Sequence, residues 1–226
     1  MITLADGTQK AVENITTEDN LLVWDFYTGT FTTSPVAVIL DHGLSEVETL
    51  RLHFSDDSSI DISGWHGFFD ADENKFVQLS TENYEDYIGD TFIRCDYNEE
   101  TGYTFSKVTL VNGEIFTEET HEFLLISAFH YDYIANGLLN QASVPYGEVK
   151  ELYNYFDVGE NMTFDKEAMD HDIETYGLYD YDVFKDVVTY EQYVGLNLQY
   201  LKISVGKGYL TLNELLDILK EYVTNN

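Results

Sequence analysis

"LLVWDFYTGTF", residues 21–31, is an apolar strand that ends in an acid, turns on Thr28-Gly29 and re-enters a strand. It has an echo in "TFIRCDYNEETGYTF", residues 91–105. Asp25 and Asp96 close the first strand of each copy, and Thr28-Gly29 and Thr101-Gly102 supply the turns. Glycine takes the positive φ of such a turn at no steric cost. Each copy continues into a second strand, "SPVAVIL" or "SKVTLV", and after a polar loop into a third, "VETLRLHF" or "HEFLLISAF". The pattern predicts a duplicated β unit. Any two β meanders share part of it, so the echo alone leaves a coincidence open.

Outward from this pair the reading stays β. "ITL" at 2–4 is a strand and "ADGT" at 5–8 a tight turn on Gly7. In "SEVETLRLHF" at 45–54, Leu50, Leu52 and Phe54 fall on one face, which predicts a half-buried strand. "SDDSS" turns the chain into "IDIS", and "DADENKF" turns it into "FVQLS". "TENYEDYIGD" predicts a short helical turn closed by Gly89.

After about residue 143 the pattern changes. "VPYGEV" at 144–149 has linker chemistry, with Pro145 and Gly147. Thr163 is expected to open a helix through "FDKEAMDHDIETY", with Gly177 as its C-terminal cap. Asp180 can cap "YDVFKDV". Thr189 with Gln192, and Thr211 with Glu214, have capping-box spacing. Leu212, Leu215, Leu216, Leu219 and Val223 form one apolar face of a last helix. The expected class is mainly β over 1–143, followed by a small α-helical C-terminal domain over 144–226.

The chain has 226 residues, long enough to bury a sizeable core. Its 42 acids against 11 bases give a net charge of -31, which argues against nucleic acid and against anionic lipid. That charge serves solvation or a cationic partner. No apolar run reaches membrane-spanning length, so no membrane insertion is expected. No signal peptide is visible, and the chain opens straight on a strand, as a segment cut from a longer protein does. Cys95 is the only cysteine, which excludes an intramolecular disulfide and a thiolate zinc site.

No metal or cofactor is expected. Asp70, Asp72 and Asn74 have the opening spacing of a calcium loop, but Lys75 stands at its glycine and Thr81 at its glutamate. A hairpin turn is the simpler reading. The six histidines show no i, i+4 pair. "VGKGY" at 205–209 lacks the length and the Ser/Thr of a P-loop.

One motif remains. "SGWHGFFD", residues 63–70, puts Ser63 and His66 at [S/T]-x-x-H spacing at a strand end. Such a histidine can polarise or protonate an amide while the hydroxyl supports it. Such a short pattern also arises by chance, and a histidine between Trp65 and Phe68 is equally read as a packed ring.

The order of motifs adds a resemblance. "ITLADGTQKAVENITTEDNLLVWDFYTG", then "FSDDSSIDISGWHGFFD", then "FHYDYIANGLL" resembles the Hint superfamily, the fold of inteins and hedgehog autoprocessing domains. The resemblance covers about residues 1–143 and implies two related β subunits. It implies that Ser63 and His66 hold the Thr-x-x-His positions that act on the scissile amide. His130, or Tyr131 with a one-residue shift, falls at the histidine of the late His-Asn-Phe block. The chain also resembles Hint-like C-terminal regions of large surface proteins from gut clostridia. That extends the pattern to residues 144–226 and implies an extracellular, cell-surface location, with other segments of a larger protein as partners.

The departures bear on activity. The family begins on a Cys, Ser or Thr upstream of "ITLADGT", where this sequence has Met1. The late aspartate falls near Leu124 or Leu125, and the closing His-Asn pair falls on Gln141-Ala142, with Asn140 one step off register. The expectation is a self-processing scaffold that is inactive or limited to N-terminal cleavage, with Ser63, His66 and His130 as a relic or partial site. The alternative is a structural or adhesive module of a bacterial surface protein.

Overall fold

The computed structural model describes residues 1–25, 29–98, 102–127, 130, 132–142, 156–157, 163–164, 166–176, 180–195, 202, 205–208 and 211–225. The strands are β1 (Ile2–Thr3), β2 (Gln9–Lys10), β3 (Asn20–Asp25), β4 (Thr30–Phe54), β5 (Ser59–Ser63) and β6 (His66–Asp70). They continue as β7 (Lys75–Leu79), β8 (Thr91–Asn98), β9 (Gly102–Ser127), β10 (Asp132–Ala135) and β11 (Leu138–Gln141). All eleven join one antiparallel sheet in the order β2-β1-β10-β11-β6-β8-β9-β4-β3, with β5 on β4 and β7 on β6.

The echo becomes two hairpins, β3–β4 and β8–β9. In the first, Asp25 faces Thr30 and Gly29 has φ +63°; in the second, Asn98 faces Gly102, whose φ is +74°. The long strands then pair with each other antiparallel, from Val36 opposite Ser127 to Phe54 opposite Leu110. Leu50, Leu52 and Phe54 are buried as their alternation predicts, alongside Leu21, Val23, Phe68, Phe92 and Leu110 in one core. Each such side chain contributes about 1.5–3 kcal/mol by leaving water.

Two expectations are corrected. The second and third strands of each copy are not separate, because β4 and β9 each run unbroken through the polar stretch. Asp41 Oδ1 accepts from the Gly43 backbone N–H at 2.8 Å, and Gly43 sits at φ +88°, so the chain bulges between Asp41 and Leu44 and keeps pairing. The ribbon is solvated there, with Leu40 and Leu44 exposed, so polar residues carry no burial cost. Thr163 does not open a helix: it pairs with Asp157 in a two-stranded ribbon of β12 (Phe156–Asp157) and β13 (Thr163–Phe164).

Helix α1 (Lys166–Tyr176) follows, then α2 (Tyr190–Gly195) and α3 (Leu212–Asn225). Both capping boxes form. The Thr189 N–H donates to Gln192 Oε1 at 2.9 Å, and the Gln192 N–H returns to Thr189 Oγ1 at 3.2 Å. Thr211 and Glu214 do the same at 2.8 and 3.3 Å. Asp180 Oδ1 accepts from the Asp182 N–H at 3.0 Å and caps the 3-10 turn Tyr181–Val183. Leu215 and Leu219 of α3 are buried with Phe184 and Val188 in a second core. Gly177 and "VPYGEV" lie outside the described residues. Among the described residues, no helix is long and apolar enough to cross a membrane.

Candidate functional site

Strand β5 ends at Ser63, which pairs with Thr49 on β4. Gly64, at φ +58°, then reverses the chain, a conformation that a side chain would strain. The next residue, Trp65, is 58% exposed, and His66 opens β6 opposite Leu79 of β7. "SGWH" is therefore a sharp bend that leaves Ser63 and His66 on one wall of a cleft of about 570 Å³.

The other walls come from distant parts of the chain. Met1 and Ile2 line the cleft, and Ile2 pairs with Ala135 of β10. The Asn136 N–H donates to the Met1 carbonyl at 2.8 Å, which fixes the direction in which β1 enters. Leu124 and Leu125 of β9 form a third wall, and Gln141 and Ala142 a fourth. Gln141 lies across Gly67, where an added Cβ would meet Gln141 Cβ at 2.5 Å, and its side chain accepts from Gln78 Nε2.

His66 is a half-buried titratable group of this cleft. Its ring packs at 5.2 Å from Phe68, and burial pushes its pKa down to about 4, partly offset by the neighbouring Asn140 amide. It is neutral at neutral pH, a proton acceptor rather than a cation. The Tyr133 hydroxyl lies 3.4 Å from His66 Nε2. Burial raises the Tyr133 phenol well above its ordinary range, so it stays protonated. Near the rim, His121 is hydrogen-bonded to Asp41 at 2.8 Å, and that contact holds the Asp41 carboxyl below its ordinary range.

The cleft thus unites Ser63 and His66. His130 is not among its lining residues. It is 2% exposed, and burial pushes its pKa down to about 4, with Asp25 acting in the opposite direction. Nearby Asp132 is fully buried, and its Oδ1 accepts the Trp24 N–H at 2.7 Å. Burial raises its carboxyl well above the usual range despite that bond. Cys95 is buried too, and desolvation pushes its thiol up to about 12, so it is no nucleophile.

The calcium-like spacing is a turn. Asp70 Oδ1 accepts the N–H groups of Asp72 and Glu73 at 2.7 and 2.9 Å. Among the described residues, no three His, Cys, Asp or Glu side chains converge on a point that could hold a metal ion. The sequence reading passed over Tyr133 and Gln78. Tyr133 lies in "YDYIANG", a motif already singled out, but its cross-strand neighbours are set by pairing and not by spacing.

A variant of the Ssp DnaB mini-intein shares this architecture at a TM-score of 0.52. The match covers 65% of this chain and 92% of that one, at 14% identity. This is the intein, or Hint, fold. Two further inteins match at a TM-score of 0.49 and 16% identity. The DnaX mini-intein from Spirulina platensis covers 62% of this chain and 93% of its own, and the DnaB intein from Synechocystis sp. PCC 6803 covers 63% and 94%. No protein-family model and no curated protein matches the chain.

Proposed function

We propose that this chain is a self-processing scaffold of Hint type whose remaining chemistry is cleavage at its N-terminal side. One observation carries the reading: Met1, Ser63, His66, Leu124, Gln141 and Ala142, scattered along the sequence, line a single cleft. An acyl shift there needs a nucleophile joined to β1 on the upstream side. Its oxygen or sulfur attacks the preceding carbonyl carbon and the C–N bond breaks. The nucleophile's proton moves through His66 to the departing amine nitrogen. Neutral His66 fits that transfer, and Ser63 supplies a hydroxyl beside it.

Cleavage at the far side lacks its groups. Cyclisation onto the backbone needs a side-chain amide at position 142, where Ala142 has a methyl group. Gln141 has no titratable ring, and Leu124 and Leu125 carry no proton. The test is intact mass of the protein extended upstream to its natural residues, with and without hydroxylamine. A fragment ending just before the nucleophile, absent in His66→Ala, is the expected result. One uncleaved mass under every condition would overturn the reading. That result would favour the second reading, a surface module kept for structure or adhesion, which the apolar late positions and the exposed Trp65 support. The proposal includes placement at a Gram-positive cell surface among segments of a larger protein, supported by the resemblance of its motifs to Hint-like regions of large surface proteins. Surface labelling of intact cells tests it.

A further inference from the structure

We propose that Asn136 is a positioning residue for the N-terminal side of the cleft. Its side chain holds the backbone nitrogen of Met1 and ties it to the start of β5, the strand that ends at Ser63. The catalytic consequence rests on the self-processing reading; the clamp itself is a property of the folded chain.

The clamp begins with register. Ile2 pairs with Ala135, so Met1 and Asn136 are the next facing residues of the β1–β10 ladder. The Asn136 N–H donates to the Met1 carbonyl at 2.8 Å, which makes this a hydrogen-bonded pair. In such a pair the second bond ordinarily runs from the Met1 nitrogen to the backbone carbonyl opposite. Asn136 has φ +48°, where the chain leaves β10 for the turn into β11. Its side chain takes over the second bond: the Met1 nitrogen donates to Asn136 Oδ1 at 2.7 Å. Joining an upstream residue to Met1 leaves one N–H on this nitrogen, and the ladder aims it at β10. Asparagine suits the position twice, since it tolerates the left-handed region and carries the acceptor.

The other end of the amide reaches β5. Asn136 Nδ2 donates to the Ser59 carbonyl at 3.3 Å. Both ends agree on the orientation of the amide, because the Met1 nitrogen only donates and a carbonyl only accepts. The Phe54 N–H donates to the Ser58 carbonyl at 3.0 Å. The alternation of the β4–β5 ladder therefore turns the backbone groups of Ser59, Asp61 and Ser63 away from β4. Asn136 caps the first of these carbonyls, and Asp61 and Ser63 line the cleft together with Met1 and Asn136. One half-buried side chain thus joins β1, β10 and β5. It fixes where the peptide unit entering Met1 lies relative to Ser63 and His66. In an acyl shift that placement governs rate, since an error of about 1 Å can cost about a hundredfold.

The test uses the upstream-extended protein labelled with 15N-methionine, with Met1→Leu to assign the Met1 amide. The expected wild-type result is slow amide exchange at Met1. Asn136→Gly keeps the left-handed backbone and the bond to the Met1 carbonyl while removing the side chain. It should speed Met1 exchange by about fivefold, the equivalent of one ordinary hydrogen bond. It should also lower the hydroxylamine-released fragment by about tenfold or more, with the urea midpoint little changed. Asn136→Asp keeps an acceptor for Met1 and loses the donor to Ser59. It should recover the slow exchange and part of the cleavage, a rescue that a plain loss of stability would not give. Fast exchange in wild type, exchange in Asn136→Gly equal to wild type, or no rescue by Asn136→Asp overturns the clamp. Fast exchange with undiminished cleavage in Asn136→Gly overturns its positioning role. The exchange measurement needs no cleavage, so a silent hydroxylamine assay with slow Met1 exchange counts against the self-processing reading alone.

Discussion

His66 and His130 share one electrostatic property and differ in setting. Burial pushes each imidazole down to about 4. His66 keeps partial exposure, lines the cleft and faces the Tyr133 phenol. His130 is sealed away beside Asp25. A displaced pKa marks a dry environment, and dryness serves packing as readily as chemistry. What separates the two residues is whether a substrate atom can reach the ring.

The largest effects should fall on opposite observables. In the upstream-extended protein, His66→Ala should reduce the hydroxylamine-released fragment by about a hundredfold or more, the usual weight of a general acid–base group. His130→Ala should leave the fragment intact in the folded fraction and lower unfolding free energy by about 2–4 kcal/mol, by opening a cavity in the core. Mass spectrometry and urea denaturation read the two. A His130→Ala protein that is stable but silent would break the contrast.

Acidification should treat the two histidines alike. Each is near 4 folded against 6.5 as its ordinary value, so the unfolded chain binds more protons over that interval. Stability is therefore fully present above about 6.5 and is lost as pH falls toward 4, on the order of a few kcal/mol per ring. Urea midpoints at pH 7 and pH 4.5 should show a smaller drop in His66→Gln and in His130→Gln than in wild type. Asp132 has the opposite sign. Its folded pKa is raised, so it opposes folding increasingly as pH rises above its ordinary value of 3.8. Asp132→Asn, which keeps the acceptor for the Trp24 N–H, should stabilise the protein at pH 7 and lose that gain near pH 4.

Two smaller tests sharpen the cleft side of the contrast. Gly67→Ala forces a Cβ to within 2.5 Å of Gln141 Cβ, so it should cost about 1–3 kcal/mol by thermal or urea unfolding. Gln141→Ala should not rescue it, because the clashing Cβ remains. His121, 45% exposed and hydrogen-bonded to Asp41 at the rim, should be far less sensitive than His66 or His130. His121→Gln should leave both stability and cleavage unchanged within measurement, since exposed side-chain pairs contribute little.

Much of the fold was legible because its signals are local. Asp25-x-x-Thr28-Gly29 and its echo needed only turn chemistry, and both capping boxes needed only a three-residue spacing. The continuity of β4 and β9 was not legible. "DHGLSE" reads as a loop until the partner strand is known to follow it through a bulge. At the site, Ser63 and His66 were visible as a spacing, and the resemblance gave them a role. Tyr133, Gln78 and the different setting of His130 were not visible, since each depends on which strand lies alongside.

The sequence by itself determined the two β hairpins, the acidic net charge, the presence of a single cysteine and the change to helix in the last third. These follow from turn residues, alternation and composition, which act between near neighbours. Only the tertiary structure decided that Met1, His66 and Gln141 meet, that the Tyr133 hydroxyl lies beside His66, and that His130 stays behind. Those facts depend on the register of β10, β11 and β6. A shift of one residue in that pairing turns every side chain to the other face of the sheet.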